Sequence, residues 1–248
     1  MATFKIHPIV MGTKVFDHGM MTYQHAYGKP YTIPIYSWYL EGGDKKILVD
    51  TGEMQPIKSP DREAAIGGKI HTFEEGLALY GLKPEDIDIV IHTHLHNDHC
   101  ENDYKCSNAR FYVHEAELAR IHDPHPLDYR YLEDYILDVE EAGQIEAVTG
   151  DREIVPGVRV MHTPAHTEGG LTVLVDTEKG VAAITGFCVI MENLNPPKEI
   201  TAREMEVIPC GTVVNAYQAY DNMLKVKQAA DILLPLHEPR FASTPTIP

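Results

Sequence analysis

The sequence feature that most constrains this chain is a dense run of metal-ligand residue types directly after a short apolar stretch. Residues 87–99 read Ile-Asp-Ile-Val-Ile-His-Thr-His-Leu-His-Asn-Asp-His. Alternate side chains of an extended segment share one face, so His94 and His96 can bind one metal ion from the end of a strand. If the chain then turns, Asp98 and His99 point to a neighbouring position. The alternative is a histidine-rich surface turn, but this spacing of imidazole and carboxylate groups favours a centre for zinc or a similar divalent metal.

Two further histidines follow predicted strands far along the chain. His166 lies in the segment 162–170 (HTPAHTEGG), and His237 follows the apolar run 232–236. Each lies where a strand runs into a turn that contains proline or glycine, the usual position of functional groups on a rigid scaffold. Beside the cluster, His166 is the natural third ligand of the first metal.

Charge and length limit the class of protein. The chain has 248 residues and a formal net charge of −16, and such an acidic surface repels phosphate backbones, which argues against a nucleic-acid partner. The length suits one large domain, and no repeat, linker or change in composition marks a boundary. We therefore expect a single domain over residues 1–248.

Cysteine usage and hydropathy bear on location. The four cysteines show neither CxxC spacing nor the density of a secreted disulfide scaffold. The first residues lack a signal pattern, and no apolar run approaches the length of a membrane span. We expect a cytoplasmic protein with no membrane partner.

The remaining patterns predict alternating strands and helices. Strands are predicted at 4–6, 33–40, 46–50, 87–91, 110–113, 155–161, 171–175, 181–184 and 232–236. Helices are predicted at 72–80, from 114 and at 215–231, the first with a capping box of Thr72 and Glu75. Residues 11–32 and 53–72 are predicted loops, and 242–248 a coil. Residues 122–143 are predicted to be an insertion or lid rather than core.

These motifs together resemble a known family. The set His94-x-His96-x-Asp98-His99, Thr163-Pro164-Ala165-His166-Thr167 and a late His237 resembles the metallo-β-lactamase superfamily. Within it, the chain from residue 33 to His237 is similar to the N-acyl-homoserine lactonase-like branch. The resemblance implies a four-layer α/β fold, the αββα sandwich, in which helices flank two mixed sheets and the metals lie at one edge. It also implies a first metal on His94, His96 and His166 and a second on Asp98, His99 and His237.

One departure from the family concerns the bridge between the metals. The family usually has an aspartate there, whereas the matching stretch 184–189 is Ile-Thr-Gly-Phe-Cys-Val, with no carboxylate at Gly186 or Phe187. The tyrosine of the lactonases is also absent, and Val189 is its nearest counterpart. Three outcomes stay open: a Cys188 thiolate on the second metal, a bridging hydroxide alone, or a mononuclear enzyme. Cys188 as a small buried hydrophobe is the competing interpretation, and Phe187 is expected to make the site more apolar.

The predicted chemistry is hydrolysis. A divalent ion lowers the pKa of bound water from about 15.7 towards about 7, and the resulting hydroxide would attack a polarised carbonyl. Asp98 is the predicted catalytic residue, because it can hold a second metal or carry the proton to the leaving group. Asp50 either hydrogen-bonds a ligand imidazole or caps its own turn. The loop 18–39 and residues 122–136 are expected to form the pocket walls.

The leading functional hypothesis is hydrolysis of a small lactone or a related ester or amide. A thioesterase of the glyoxalase II type and a mononuclear-iron thiol dioxygenase are the alternatives, and both families normally use the missing aspartate. A metal-binding module without catalytic activity is the third alternative. We expect one or two zinc ions, with iron or manganese as alternatives, and a small-molecule substrate. A homodimer is compatible with the sequence, which does not fix the oligomeric state.

Overall fold

Eleven strands form two β-sheets within residues 2–248, the part of the chain that this computed structural model describes. The strands of the first sheet follow chain order: β1 (Lys5–Asp17), β2 (Pro30–Glu41), β3 (Ile47–Val49), β4 (Ile89–Ile91), β5 (Arg110–His114) and β6 (Ile145–Val148). The second sheet consists of β7 (Arg152–Val155), β8 (Val158–His162), β9 (Leu171–Thr177), β10 (Gly180–Ile184) and β11 (Ile232–Leu234). Its order is β11-β10-β9-β8-β7.

Both sheets are mixed. In the first, β1, β2 and β3 pair antiparallel, and β3 to β6 pair parallel. In the second, β7 to β10 pair antiparallel, and β11 joins β10 in parallel. Parallel neighbours need crossover connections, which pass outside the sheets and carry the helices.

The helices lie in the connections between the strands. Their bounds are α1 (Pro60–Ile66), α2 (Phe73–Ala78), α3 (Asn97–Cys100), α4 (Glu115–His122), α5 (Leu137–Glu141), α6 (Met191–Leu194), α7 (Lys198–Thr201) and α8 (Ala216–Ala229). Among residues 2–248, none of them is long and apolar enough to cross a membrane.

Alternating side chains along the strands create three buried layers. The central layer lies between the sheets, where Trp38 and Val49 pack in the same cluster as Val160 and Val173. On the outer face of the first sheet, residues such as Leu48 pack with α2, α4 and α5. A third cluster joins the second sheet and β2 to α8. This helix–sheet–sheet–helix order confirms the predicted αββα sandwich.

Two predicted loops are partly regular structure. β1 continues to Asp17 and pairs with β2 along its whole length, so the irregular connection is residues 18–29 rather than 11–32. A register shift between Val10 and Gly12 interrupts the apolar alternation, which hides the strand in the sequence. Within 53–72, α1 begins after the N-cap Ser59 and ends at Gly67, which has a left-handed φ of 69°.

The bounds of two helices agree with the sequence prediction. α2 begins at the predicted capping box of Thr72 and Glu75, and α8 occupies most of the predicted helix 215–231.

The end of the chain is more ordered than the coil predicted for residues 242–248. Residues 239–243 form a 3-10 helix, and Ile247 pairs with Ile6 on β1.

The segment 122–143 has two parts. Leu127 and Tyr129 are highly exposed, and the insertion or lid at this part of the chain stays a prediction. From Tyr131 onward the segment packs into the outer core of the first sheet, where Ile136 and Val139 are buried. Residues 131–143 therefore belong to the core, because their apolar side chains pack against the outer face of the first sheet.

Candidate metal centre

Three of the predicted ligands come together at one end of the sheets. His94 and His96 lie in the connection from β4 to α3, and His166 lies in the turn between β8 and β9. All three are buried, and one ring nitrogen from each lies within 4.8 Å of the other two. Within residues 2–248, no other set of three or more His, Cys, Asp or Glu side chains meets this distance.

Hydrogen bonds fix which nitrogen of each ring faces the others. Nδ1 of His94 lies 3.0 Å from the hydroxyl of Thr93, and Nε2 of His96 lies 3.1 Å from Oδ2 of Asp128. Nδ1 of His166 lies 2.6 Å from the carbonyl oxygen of Thr212. Because carboxylate and carbonyl oxygens only accept, the outer nitrogens of His96 and His166 carry hydrogen.

The inner nitrogens therefore present lone pairs to one another. Nε2 of His166 and Nδ1 of His96 are 3.1 Å apart, and neither has a proton to share when the rings are neutral. Burial and neighbouring imidazoles lower the pKa of His94 and His166 well below the ordinary value, so these rings are neutral. Burial also lowers the pKa of His96. Converging neutral imidazoles fit a divalent cation.

The remaining predicted ligands lie next to this group in a wider arrangement. Asp98 and His99 are on α3, and His237 follows β11. The ring centroids of His99 and His94 are 4.1 Å apart, whereas those of His99 and His237 are 5.5 Å apart. Nε2 of His99 lies 3.9 Å from Oδ1 of Asp98. The second set is thus adjacent to the first but less compact.

Asp50 lies behind the second set. Its carboxylate accepts hydrogen bonds from the backbone N–H and hydroxyl of Thr93 at 2.8 and 2.7 Å, and Nδ1 of His99 lies at 2.8 Å. Burial opposes ionisation, but His99 and the nearby His92 outweigh it and lower the pKa of Asp50 to about 2. The sequence predicts that Asp50 either hydrogen-bonds a ligand imidazole or caps its own turn. The contact with His99 agrees with the first alternative.

The stretch that lacks the bridging carboxylate packs tightly. A Cβ atom on Gly186 would lie 2.4 Å from the carbonyl oxygen of Leu171, so this backbone has no room for a side chain there. Phe187 is fully buried in the cluster that packs against α8 and does not line the cavities at the histidines. The expectation that Phe187 makes the site more apolar is therefore wrong, because its ring faces the core.

Cys188 is a buried thiol. Its sulfur lies 4.0 Å from the sulfur of Met21 and outside the three-histidine group. Burial, with a contribution from Asp98, raises its pKa to about 12. The neutral thiol is the form that packs as a small hydrophobe.

Two cavities open beside the histidines. A cavity of about 480 Å³ is bounded by Asp128, Arg130, His166 and Thr212, and a smaller one of about 170 Å³ is bounded by Met20, Met21, Tyr129 and Cys188. Leu127, Arg130 and Thr212 border both cavities. Residues 127–131 of the predicted insertion border the cavities, and the predicted loop 18–39 contributes Met20 and Met21 to the smaller one. Residues 211–214 form a further wall of the larger cavity that the sequence did not indicate.

Several residues of the site carried no signal in the sequence. Asp128 and Arg130 lie in a segment without apolar period, and Thr212 acts through its backbone. Glu117 is buried on α4, where it accepts hydrogen bonds from the backbone N–H groups of Leu95 and Gly169 and the hydroxyl of Tyr131. It therefore joins both ligand loops to the insertion.

Comparison with known proteins agrees with this geometry. The family model described as the metallo-beta-lactamase superfamily matches residues 31–186. An N-acyl homoserine lactonase from Bacillus sp is 31% identical over 194 residues, which cover 72% of this chain and 73% of that protein. An N-acyl homoserine lactonase from Bacillus cereus is 30% identical over 202 residues, covering 75% and 76%.

Solved structures show the same fold. An N-acyl homoserine lactone hydrolase with the product N-hexanoyl-L-homoserine bound at its catalytic metal centre has a TM-score of 0.75, 23% identity and coverage of 96% of this chain and 94% of that chain. A probable metal-dependent hydrolase from Staphylococcus aureus has a TM-score of 0.72, 18% identity and coverage of 96% and 91%. This chain belongs to the metallo-β-lactamase superfamily and is a homologue of the N-acyl homoserine lactonases.

Proposed function

We propose that the protein is a metal-dependent hydrolase that opens a small lactone or cleaves a related ester or amide. The observation that carries the proposal is the convergence of three neutral imidazoles, whose outer nitrogens are held, on one point beside a cavity. The homology to lactonases supports a cyclic ester as the substrate. N-acyl homoserine lactones are the first substrates to test.

His94, His96 and His166 would hold the metal, and we propose zinc because neutral imidazoles suit it, with iron and manganese as alternatives. When bound, such an ion polarises a carbonyl and lowers the pKa of water. Asp98, His99 and His237 would supply a second, weaker position. The cytoplasmic location, the homodimer and the absence of a nucleic-acid partner remain predictions from the sequence.

Asp98 is the proposed proton carrier. Burial opposes ionisation of this carboxyl, but His99 and His237 outweigh it and lower its pKa, so Asp98 is a carboxylate at neutral pH. A carboxylate in this position can accept a proton from the attacking water and return it to the leaving oxygen. Nδ1 of His99 is held by Asp50, and Nδ1 of His237 is held by the carbonyl oxygen of Pro34. Nε2 of His99 lies 3.9 Å from Oδ1 of Asp98.

The proposal predicts that zinc-loaded protein releases acid from lactones in a pH-stat assay, with N-acyl homoserine lactones and unsubstituted γ- and δ-lactones as substrates. His94→Ala should lose the metal and turnover together, because one of three ligands is removed. His71→Ala, which changes a histidine outside the site, should keep both. Metal content by elemental analysis and acid release are the two readouts.

The same assays separate the alternative activities. Hydrolysis of a glutathione thioester without lactone opening would favour the thioesterase. Oxygen consumption with thiols by an iron-loaded protein would favour the dioxygenase. Failure with every lactone, ester and thioester would favour a metal-binding module, and turnover retained by His94→Ala would overturn the assignment of the centre.

A further inference from the structure

Arg130 lies at the three-histidine group. Its Nε donates to Oδ1 of Asp128 at 2.7 Å, and its Nη1 lies 3.5 Å from Nε2 of His166, the nitrogen that faces the other rings. The second oxygen of Asp128 contacts His96. One carboxylate therefore fixes both a guanidinium and an imidazole of the centre.

Most hydrogen-bond donors of this arginine are not used by the protein. A guanidinium has five N–H donors. Within residues 2–248, the bond to Asp128 is the one hydrogen bond of ordinary length that Arg130 donates, since the contact with His166 is 3.5 Å long. The side chain is 29% exposed and borders both cavities. Its terminal N–H groups are thus available to a bound molecule.

The positive charge of Arg130 also favours the binding of an anion. A fixed guanidinium beside a cation site is unfavourable because like charges repel, and the ion pair with Asp128 offsets only part of this repulsion. A negatively charged oxygen between the guanidinium and the histidines would interact favourably with both. Arginine binds carboxylates strongly because its planar donors match the two carboxylate oxygens.

We propose that Arg130 is a catalytic residue that donates hydrogen bonds to the negatively charged oxygens of the reacting carboxyl group, which makes carboxylates the ligand class of this position. The inference rests on the proposed function. Water adds to the carbonyl carbon, the carbonyl π pair moves onto oxygen, and the ring C–O bond then breaks. One proton of the water passes to the leaving oxygen to give a hydroxyl, and the other is lost as the acid ionises. Arg130 stays protonated and stabilises the charged oxygen throughout.

The chain provides a matched control in Arg159 on β8, an arginine that borders neither of these two cavities. Its side chain is 34% exposed, and its Nη2 donates to Oδ1 of Asp176 at 2.8 Å. Its Nη1 donates to Oδ2 of the same carboxylate at 3.1 Å. Arg159→Gln therefore removes a cation of similar exposure that is paired with a carboxylate away from the site.

The test uses zinc-loaded wild type, Arg130→Gln, Arg130→Lys and Arg159→Gln. Calorimetric titration with 4-hydroxybutyrate, the ring-opened form of γ-butyrolactone, should show affinity weakened by about 10- to 100-fold in Arg130→Gln, with zinc content unchanged. For lactone opening, kcat should fall by about 10²–10³-fold with a smaller change in KM. Arg130→Lys should recover part of both, and Arg159→Gln should behave as wild type.

Several results would overturn this role. Binding and kcat in Arg130→Gln equal to those of Arg159→Gln would do so. A rise in KM alone, or loss of zinc, would also do so, because either result indicates a structural role. Wild type that binds 4-hydroxybutyrate through Arg130 but opens no lactone would refute the proposed function and leave the anion site standing. Lactone opening that is insensitive to Arg130 would refute the role of Arg130 alone.

Discussion

At the scale of single residues, the centre depends on groups that hold each imidazole from behind. Thr93, Asp128 and the carbonyl oxygen of Thr212 set which nitrogen of each ring faces inward. Such partners raise the basicity of a ligand imidazole and fix its orientation, and their loss typically weakens metal binding by about 10- to 100-fold. Metal binding at this centre would therefore depend both on the three histidines and on the groups that hydrogen-bond to their outer nitrogens.

Cys188 gives a prediction at this scale. Because the buried thiol lies outside the three-histidine group and contacts Met21, we expect Cys188→Ser to bind as much metal as wild type. Elemental analysis of both proteins after loading and gel filtration measures this, with His166→Ala as the variant expected to lose metal. One ion fewer in Cys188→Ser than in wild type would instead show that the thiolate is a ligand.

The proximity of His94 and His96 could be predicted from sequence because their spacing is local, whereas the groups that hold their rings could not. His94 and His96 occupy alternate positions directly after an apolar strand, so the pattern lies within about ten consecutive residues. Asp128 and Arg130 reach the site through the path of an irregular segment, and Thr212 through a backbone oxygen, so no spacing marks them. The sequence did indicate that no carboxylate stands at Gly186 or Phe187, and the structure adds that the backbone of Leu171 blocks a side chain at Gly186.

At the scale of elements, the insertion is held by a histidine between two carboxylates. Nδ1 of His122 lies 2.6 Å from Oε1 of Glu133, and its Nε2 lies 3.0 Å from Oε1 of Glu140. Hydrogen bonds to Glu133 and Glu140 raise the pKa of His122 above its ordinary value. These contacts link the end of α4 to the helical part of the segment that also supplies Asp128 and Arg130.

The local stability of this segment should therefore fall as pH rises. A histidine whose pKa is raised in the folded state stabilises it fully below the unfolded pKa of about 6.5, and this contribution is lost as pH rises through the folded pKa. Hydrogen exchange of the amides in α5, corrected for the intrinsic rate, should show less protection at about pH 9 than at about pH 6. His122→Gln should remove this pH dependence, and equal protection at both pH values in wild type would contradict the link.

Element boundaries were predictable where local chemistry sets them. The capping box of Thr72 and Glu75 marks the start of α2 in the sequence, and β4 follows from its apolar run. The second half of β1 was not predictable, because its pairing with β2 comes from a distant part of the chain and a register shift disturbs its period. Tertiary pairing overrides a weak local pattern in such strands.

At the scale of the whole molecule, the centre joins two halves of the sandwich. His94 and His96 follow a strand of the first sheet, and His166 follows a strand of the second. Glu117 makes a parallel connection, since it binds the backbone beside both ligand loops. A bound metal therefore links the two sheets at the edge where the cavities open.

Removal of the metal should lower the thermal stability of the whole molecule. A ligand that binds only the folded state adds about 2.7 kcal/mol at a free concentration of 100 Kd, or about 5–10 °C for a chain of this size. Scanning calorimetry with chelator and after back-titration with zinc measures this increment. His166→Ala should show no difference between the two conditions, and a wild-type midpoint that does not respond to zinc would contradict the link.

The burial of the four cysteines has a practical consequence for handling the protein. All four thiols are free and buried, and burial raises the pKa of each. Thiol-labelling reagents react with exposed thiolates, so the rate of labelling reports how often the native chain opens. Cys188 borders the smaller cavity and would be labelled by movement of the loops around it, whereas Cys100 and Cys106 pack against the first sheet. The chain thus carries its own probes of local and global opening.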